Sequence, residues 1–252
     1  MIRIKRIGLP LAALAVCGIG AAAQAQAQDQ EERLREALQA PERSDEAKQR
    51  DETDMPIEVM EFLGVEDGMT ALDVISASGY WAEVLSAAVG PSGKVYMHNP
   101  AFMVNRGGDE FMQREQAMVD RLGNVEPVHG DLAEAEIAGQ VDVAITSMNF
   151  HDQYNRGGLE AGAAFLQGIY DALKPGGVLG LIDHVGIEGQ DNAEFHRVQP
   201  EAAKEALEEV GFTVEAESDL LENPDDPHTV GVRDPSVRGH TDKFLFLARK
   251  PE

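Results

Sequence analysis

Apolar segments, each the length of a β-strand, alternate with helix-length segments through most of this chain. Residues 69–75 (MTALDVI), 141–147 (VDVAITS) and 178–183 (VLGLID) are the clearest of these segments. Strands that are apolar along their whole length need cover on both faces, which is typical of parallel sheets in α/β proteins. The pattern therefore predicts a mostly parallel sheet with helices on both of its faces.

Seven strands are predicted in all. The other four lie at residues 94–98, 125–129, 212–218 and 243–248, and helices are predicted at 80–89, 109–122, 159–173 and 200–210. Between the last two strands, residues 222–240 are polar and contain three prolines and two glycines. With no helix to cross over the sheet, these two strands are expected to pair antiparallel.

The first 27 residues have the pattern of a secretory signal peptide. A short basic segment precedes an apolar run over residues 7–23, and alternating alanine and glutamine follow at 23–27. Small residues at the −1 and −3 positions favour cleavage after Ala25 or Ala27. We predict a signal peptide over residues 1–27 and a periplasmic or secreted protein.

Two alternatives concern the same segment. An uncleaved anchor would need about 20 apolar residues, and this run is shorter and rich in alanine and glycine. A lipoprotein would use Cys17, the one cysteine of the chain. After cleavage no stable membrane insertion is expected, and no disulfide or thiolate metal site is available to the rest of the chain.

The remaining chain is strongly acidic and divides into an arm and a domain. The formal net charge of the whole sequence is −24, which disfavours nucleic acid and anionic lipid as partners and either serves solubility or favours neutral or cationic partners. Residues 28–55 are charged and predict a helical arm, with Ser44 or Asp45 as a helix cap. Residues 56–252 form the predicted domain.

The order of motifs resembles class I S-adenosylmethionine (SAM)-dependent methyltransferases. The motifs are Asp73 in the first strand, a turn of small residues after it, KVYMHN at 94–99, HGD at 129–131, SMNFHD at 147–152 and LKPGGVLGLIDH at 173–184. The resemblance implies a Rossmann-like sheet with strand order 3-2-1-4-5-7-6 and an antiparallel last strand.

A closer resemblance is to an exported bacterial group of methyltransferases whose substrate is unknown. It rests on Arg43-Ser44 and Arg50-Asp51 in the arm and on the tail segment 223–244. The superfamily resemblance implies SAM as cofactor and assigns these residues to its binding: Asp73, Ser76, Ala77, Ser78, Gly79, Tyr80, Asn99, Asp131 and Asn149. Asn99 stands where the superfamily has an acidic residue for the ribose, and the resemblance implies that 148–152 is the substrate-facing loop.

Histidines and aspartates follow the fourth and fifth strands, where a base for methyl transfer would lie. His151 and Asp152 follow one strand, Asp183 and His184 the other, and a neutral histidine is a suitable base near pH 7. We predict catalytic roles for His151, Asp152 and His184. His196 and His228 would approach the same edge.

The predicted function is a SAM-dependent methyltransferase acting on a small molecule. One alternative is a binding protein that has lost SAM, with the pocket filled by Tyr80, Trp81 or Met148. Another is a metal-dependent enzyme whose ligands would be His151, Asp152, His184 and His228. The acidic loop containing Asp225, Asp226 and His228 is interpreted as a lid.

Overall fold

Seven β-strands form one sheet in the computed structural model, which describes residues 28–252. The strands are β1 (Thr70–Val74), β2 (Lys94–Asn99), β3 (Val125–His129), β4 (Val141–Ser147), β5 (Leu173–His184), β6 (Thr213–Ser218) and β7 (Lys243–Arg249). Their order is β3-β2-β1-β4-β5-β7-β6, with β1 to β5 parallel and β7 antiparallel to β5 and β6. The predicted order is confirmed, and the predicted signal peptide lies outside the described residues.

Helices cover both faces of this sheet. They are α1 (residues 28–38), α2 (Asp45–Asp54), α3 (Pro56–Leu63), α4 (Tyr80–Val89), α5 (Ala101–Leu122), α6 (Phe150–Ala172) and α7 (Pro200–Val210), with a 3-10 turn at Leu132–Glu134. The first five pack on one face or its flank, and α6 and α7 on the other, where Leu166 and Leu207 are fully buried. Across residues 28–252, no helix has both the length and the apolar character that a membrane span requires.

Two helices begin earlier than the apolar pattern predicts. α5 begins eight residues early, at Ala101, and α6 begins nine residues early, at Phe150. Glycines with non-helical backbone angles, at Gly108 and at 157–158, divide each helix into two pieces. The pieces before these glycines are too short for a helical period to show, so periodicity detects only the second pieces.

Buried ion pairs fasten the arm and the tail to the sheet. Lys243, in β7, pairs with Asp54 at the end of α2 and donates to the Thr53 carbonyl oxygen at 3.1 Å. Arg197 donates to both carboxylate oxygens of Asp226 at 2.9 and 3.0 Å, and both side chains are fully buried. These contacts hold the segments that flank the carboxyl edge of the sheet.

Candidate functional site

The turn after β1 lies at the carboxyl edge of the parallel strands and is fixed against β2. Its backbone is left-handed at Ile75 (φ 56°) and Ala77 (φ 52°), which is unfavourable for residues with a side chain. The Ser76 amide donates to the His98 carbonyl oxygen, and the Ala77 amide donates to Asn99 Oδ1, both at 2.9 Å. These two bonds hold the strained turn in one shape.

Asp73 supports this turn from below. Its carboxylate is 2% exposed, and Oδ2 accepts a hydrogen bond from Ser76 Oγ at 2.5 Å. Burial raises the pKa of Asp73 to about 6, because the bonds from Ser76 and from the Ala82 backbone offset only part of the cost of removing a charge from water. Asp73 therefore shapes the turn and presents no surface to a ligand.

Asn99 is hydrogen-bonded inside the protein. Its side chain has no exposed surface. Oδ1 accepts from Ala77, and Nδ2 donates to Glu115 Oε1 at 3.4 Å, while Glu115 Oε2 meets His129 Nε2 at 2.7 Å. The amide is thus used inside the protein to fix the turn, and the contact with a ribose that the resemblance implies stays a prediction.

Gly79 and Tyr80 carry the turn into α4. Gly79 caps the helix at φ 84°, and a Cβ there would lie 2.4 Å from Met118 Sδ, so this position has no room for a side chain. The Tyr80 ring is buried, and its hydroxyl donates to Asp51 Oδ1 at 3.0 Å. Tyr80 therefore joins the turn to the arm. Ser78, just before Gly79, is exposed.

Cavities flank the turn. The larger, of about 510 Å³, lies between the ends of β2 and β3 and the helix α6, and its lining includes Ile75, Phe102, Asp131 and Arg156. Phe102 is 58% exposed, which is unusual for a large apolar ring. A cavity of about 350 Å³ lies beside α5, lined by residues that include Ala77, Ser78, Met97, Phe111 and Met118.

The arm adds a third, charged cavity of about 420 Å³. Ser78 and Met118 line it together with side chains of the arm, so it adjoins the 350 Å³ cavity. Arg50 lies over the Tyr80 ring, with Cζ 4.1 Å from the ring centroid, and its Nε donates to Asp54 Oδ2 at 2.5 Å. The arm thereby places a cation near the turn.

Ion pairs explain why the arm is held there. Arg43 is fully buried at its side chain, where it pairs with Asp51 and donates to Glu83 Oε2 at 2.8 Å. Ser44 caps α2 by accepting from the Ala47 amide at 3.1 Å. The arm motifs Arg43-Ser44 and Arg50-Asp51 therefore converge on the first turn of α4.

A histidine–aspartate pair lies across the edge, at the ends of β4 and β5. Asp183, which is fully buried, accepts from the His151 amide at 2.8 Å and meets His151 Nδ1 at 2.7 Å. The His184 amide donates to the same carboxylate at 2.7 Å. Burial alone would lower the pKa of His151, but the Asp183 carboxylate outweighs it, and the pKa is raised. This pairing uses Nδ1 and leaves Nε2 of the buried His151 to face Asp152.

The substrate-facing stretch differs in form from the predicted loop. Residues 150–152 form the first turn of α6, because Asp183 accepts from a free amide at the helix start. Asn149 lies just before the helix and donates from Nδ2 to the Val74 carbonyl oxygen at 3.2 Å, bridging β1 and β4. Asp131 caps the 3-10 turn through the Ala133 amide at 3.0 Å and remains exposed.

Asp152 and His196 join His151, and His184 does not. His196 Nδ1 lies 3.3 Å from Asp152 Oδ1, which in turn lies 3.6 Å from His151 Nε2. His184 is buried with Nδ1 at 2.8 Å from Thr241 Oγ1, and burial lowers its pKa to about 4. His184 is therefore a neutral structural neighbour of His151, their rings 5.7 Å apart.

The lid interpretation of the acidic loop is wrong for two of its three residues. Asp226 is the buried partner of Arg197, and His228 Nε2 meets Asp242 Oδ2 at 2.8 Å. Asp225 is exposed. A loop fixed by a fully buried ion pair is part of the wall around the site.

Solved structures with the same architecture are SAM-dependent methyltransferases and related enzymes. A SAM-dependent methyltransferase from Aquifex aeolicus aligns with 87% of this chain and 97% of its own, at 22% identity and a TM-score of 0.57. The 1,6-didemethyltoxoflavin-N1-methyltransferase of Burkholderia thailandensis, solved with its substrate and S-adenosylhomocysteine, aligns with 98% and 94%, at 16% identity and a TM-score of 0.53.

The chain has the Rossmann-like fold of these methyltransferases. The (4+2)-cyclase SpnF aligns equally well, over 79% of this chain and 80% of its own, at 18% identity and a TM-score of 0.56. No protein-family model and no curated protein matches the sequence. The comparisons therefore show the fold, and the function has to be argued from the site.

The cavities of this fold suit SAM in position and in chemistry. They lie beside the turn after β1, at the edge where open α/β sheets bind ligands. The 510 Å³ cavity offers an exposed aromatic ring in Phe102, and the 420 Å³ cavity offers the Arg50 cation. Of Tyr80, Trp81 and Met148, which would fill the pocket of a SAM-free binding protein, Tyr80 lines the 420 Å³ cavity, and the other two line none of these three cavities.

Sequence reasoning missed several residues that shape the site. The sequence shows Arg50 only as part of the arm motif and Asp183 only as the residue before His184. The ion pair of Arg197 with Asp226 had no local signal, because its partners lie 29 residues apart. The arm motif was the one clue in the sequence to Arg50.

Proposed function

We propose that this chain is a SAM-dependent methyltransferase that acts on a small molecule. The observation that carries the proposal is the placement of ligand-sized cavities and an aspartate-oriented histidine along one edge of the sheet. The cavities flank the turn after β1, and His151 lies past β4, the strand next to β1. Cofactor and acceptor would meet between them.

On the cofactor side, each part of SAM has a matching group. The ring of Phe102 offers a stacking surface for adenine, and the free carboxylate oxygen of Asp131 accepts from an exocyclic amine. Ala77 and Ser78 line the adjoining cavity for the amino-acid part. The Arg50 guanidinium lines the same cavity as Ser78 and would pair with the carboxylate of SAM.

On the acceptor side, His151 takes a proton. When bound, SAM supplies an electrophilic methyl group. Asp183 holds the His151 Nδ1 proton, so that Nε2 presents its lone pair to the acceptor. Asp152, half exposed beside it, stabilises the imidazolium that forms. A hydroxyl or amine acceptor would give its proton to Nε2 as it takes the methyl group.

The acceptor is proposed to be neutral or cationic and to be met outside the cytoplasm. The net charge of −24 disfavours anionic partners, and the pattern of residues 1–27 supports export and membership of the exported bacterial group. Mass spectrometry of the protein recovered from cells would test the export proposal. A mature chain starting near residue 26 or 28 supports it, and an intact Met1 contradicts it.

Thermal shift with S-adenosylhomocysteine tests the cofactor side. Ala164 is exposed on α6 and lines the 510 Å³ cavity, so Ala164→Trp fills the cavity with little effect on the core. Glu160→Trp, exposed on the same helix, is the matched control. We expect stabilisation of the wild type and of the control, and its loss in Ala164→Trp. No shift in the wild type would overturn the proposal.

A further inference from the structure

We propose that His151, Asp152 and His196 bind a divalent first-row transition metal ion. Each of these residues offers one ligand atom, and the three atoms lie within 4.8 Å of one another. The separations that involve Asp152 Oδ1 are 3.3 Å to His196 Nδ1 and 3.6 Å to His151 Nε2. Ligands at about 2.0–2.2 Å around a tetrahedral ion lie roughly 3.3–3.6 Å from each other. Two of the three separations therefore already match a metal site, and the third lies within 4.8 Å.

A carboxylate behind His151 prepares it as a ligand. Asp183 Oδ1 meets Nδ1 at 2.7 Å, which fixes the tautomer and directs the Nε2 lone pair toward Asp152. Histidine ligands in metalloproteins almost always have such a partner on the other ring nitrogen. Asp183 is itself held by the amides of His151 and His184, so the ring cannot turn freely.

The third ligand is positioned by its neighbour in sequence. His196 has a left-handed backbone (φ 55°), an uncommon conformation for a histidine, and its ring lies edge-on to that of His151 at 5.6 Å. The next residue, Arg197, is fixed by Asp226 and by the carbonyl oxygens of Val185 and Val230. This buried anchor holds His196 over the start of α6.

The same geometry leaves two other histidines out. His184 Nδ1 is engaged by Thr241, and His228 Nε2 is engaged by Asp242. The ligand set thus differs from the one considered from the sequence, in which His184 and His228 took part. Two imidazoles and one carboxylate suit Zn²⁺, Fe²⁺, Mn²⁺ or Co²⁺ better than Ca²⁺ or Mg²⁺, which prefer oxygen ligands alone.

Three protein ligands leave at least one position for the acceptor. This step rests on the proposed function, because the ion would lie on its acceptor side. A hydroxyl bound to an ion held by these residues would lose its proton more readily: the O–H bond would break, the proton would pass to water, and the oxygen would keep the electron pair. His151 would then be a ligand through Nε2 in place of its role as the base.

Metal titration of the full chain tests the inference directly. After treatment with a chelator, Zn²⁺ binding is measured by calorimetry, and Co²⁺ binding by its visible absorption. We expect one ion per chain and an absorption spectrum typical of tetrahedral cobalt. Affinity should fall by about 10–100-fold or more in His196→Ala and Asp152→Asn, since even the loss of an outer partner has that effect. Both side chains are at least one-third exposed, so neither change threatens folding.

His228→Asn is the matched control, because it removes a histidine of the same wall outside the cluster. It should bind Zn²⁺ like the wild type. The inference is overturned if the wild type binds no stoichiometric ion, or if His228→Asn weakens binding as much as His196→Ala does. S-adenosylhomocysteine binding, measured on the same samples, separates the two proposals. Cofactor binding without metal removes only this inference, and metal without cofactor binding removes the methyltransferase proposal.

Discussion

The two halves of the carboxyl edge use their polar residues in opposite ways. At β1 and β2, Asp73, His98 and Asn99 hydrogen-bond to the turn and are hidden from solvent. At β4 and β5, His151, Asp152 and His196 converge on one another, and Asp152 and His196 are partly exposed while His151 is buried. We call the β1–β2 side the proposed cofactor half and the β4–β5 side the proposed acceptor half. Polar residues of the first fix the shape of the turn, and those of the second lie close enough together to share a ligand.

Two buried aspartates show the difference in detail. Asp183 accepts from two backbone amides and meets a histidine nitrogen, so its charge has three N–H partners. Asp73 has one hydroxyl and one backbone partner, and its pKa rises to about 6. Asp183, which orients His151, thus has more hydrogen-bond partners for a carboxylate than Asp73, which supports the turn.

The largest effect on stability is expected at the buried ion pair that joins Arg197 to the tail. Arg197→Ala leaves the fully buried Asp226 carboxylate without its cation and should lower the free energy of unfolding by about 3–5 kcal/mol. Arg249→Ala breaks an exposed pair with Glu215 and should cost less than about 1 kcal/mol. Urea unfolding at pH 7 measures both. Equal losses of unfolding free energy in the two variants would contradict the claim that the buried Arg197–Asp226 pair fixes the tail as a wall of the site.

Asp73→Asn should gain stability relative to the wild type as the pH rises from 3.5 to 7. The folded carboxyl has a pKa of about 6 and the unfolded one about 3.8, so the folded state binds the extra proton between these values and wild-type stability falls as pH rises through this window. The variant has no carboxyl group to titrate. Its free energy of unfolding minus that of the wild type should therefore rise by about 3 kcal/mol between pH 3.5 and pH 7. Urea unfolding of both proteins at the two pH values measures it. A difference independent of pH would show that Asp73 is ionised at no cost.

Asn99→Asp tests whether the cofactor half hides this residue. A second carboxylate beside Glu115, in a site without exposure, should lower stability by about 1–3 kcal/mol at pH 7 and should not tighten S-adenosylhomocysteine binding. Unfolding and calorimetry on the same variant provide both readings. Tighter binding with unchanged stability would mean that residue 99 faces the ribose after all.

Arg50→Ala tests the cation that the arm contributes. S-adenosylhomocysteine carries the amino-acid carboxylate, and methylthioadenosine lacks it. We expect the affinity for the first ligand to fall about tenfold and that for the second to stay the same. Arg35→Ala, an exposed arginine of the arm, is the control. Equal weakening of both ligands would show that Arg50 only supports the fold.

Much of the fold follows from the sequence, because strand and helix periods are local signals. The segments at β1, β4 and β5 are apolar throughout, and the polar stretch before β7 already indicates an antiparallel pair. Helix starts at Ala101 and Phe150 escape detection, since the pieces before the glycine breaks are too short for a helical period to show. A capping carboxylate from another strand, Asp183, stabilises the second of them.

The site was predictable in place and only partly in detail. Strand ends give the edge where His151, Asp152 and His184 gather, but not which nitrogen faces which oxygen. The backbone conformation of His196 and the buried partner of Arg197 select His196 over His228, and both depend on contacts distant in sequence. Asn99 shows the same limit: its position matched the ribose acid, while its burial depends on Glu115 from α5.

Calorimetry of the full chain with S-adenosylhomocysteine tests the central claim, that the cofactor half binds SAM while a separate half serves the acceptor. The account predicts binding of one ligand per chain with a Kd below about 1 mM, unchanged in His196→Ala and lost in Ala164→Trp. Absence of binding in the wild type at millimolar ligand, or loss of binding in His196→Ala, would contradict it.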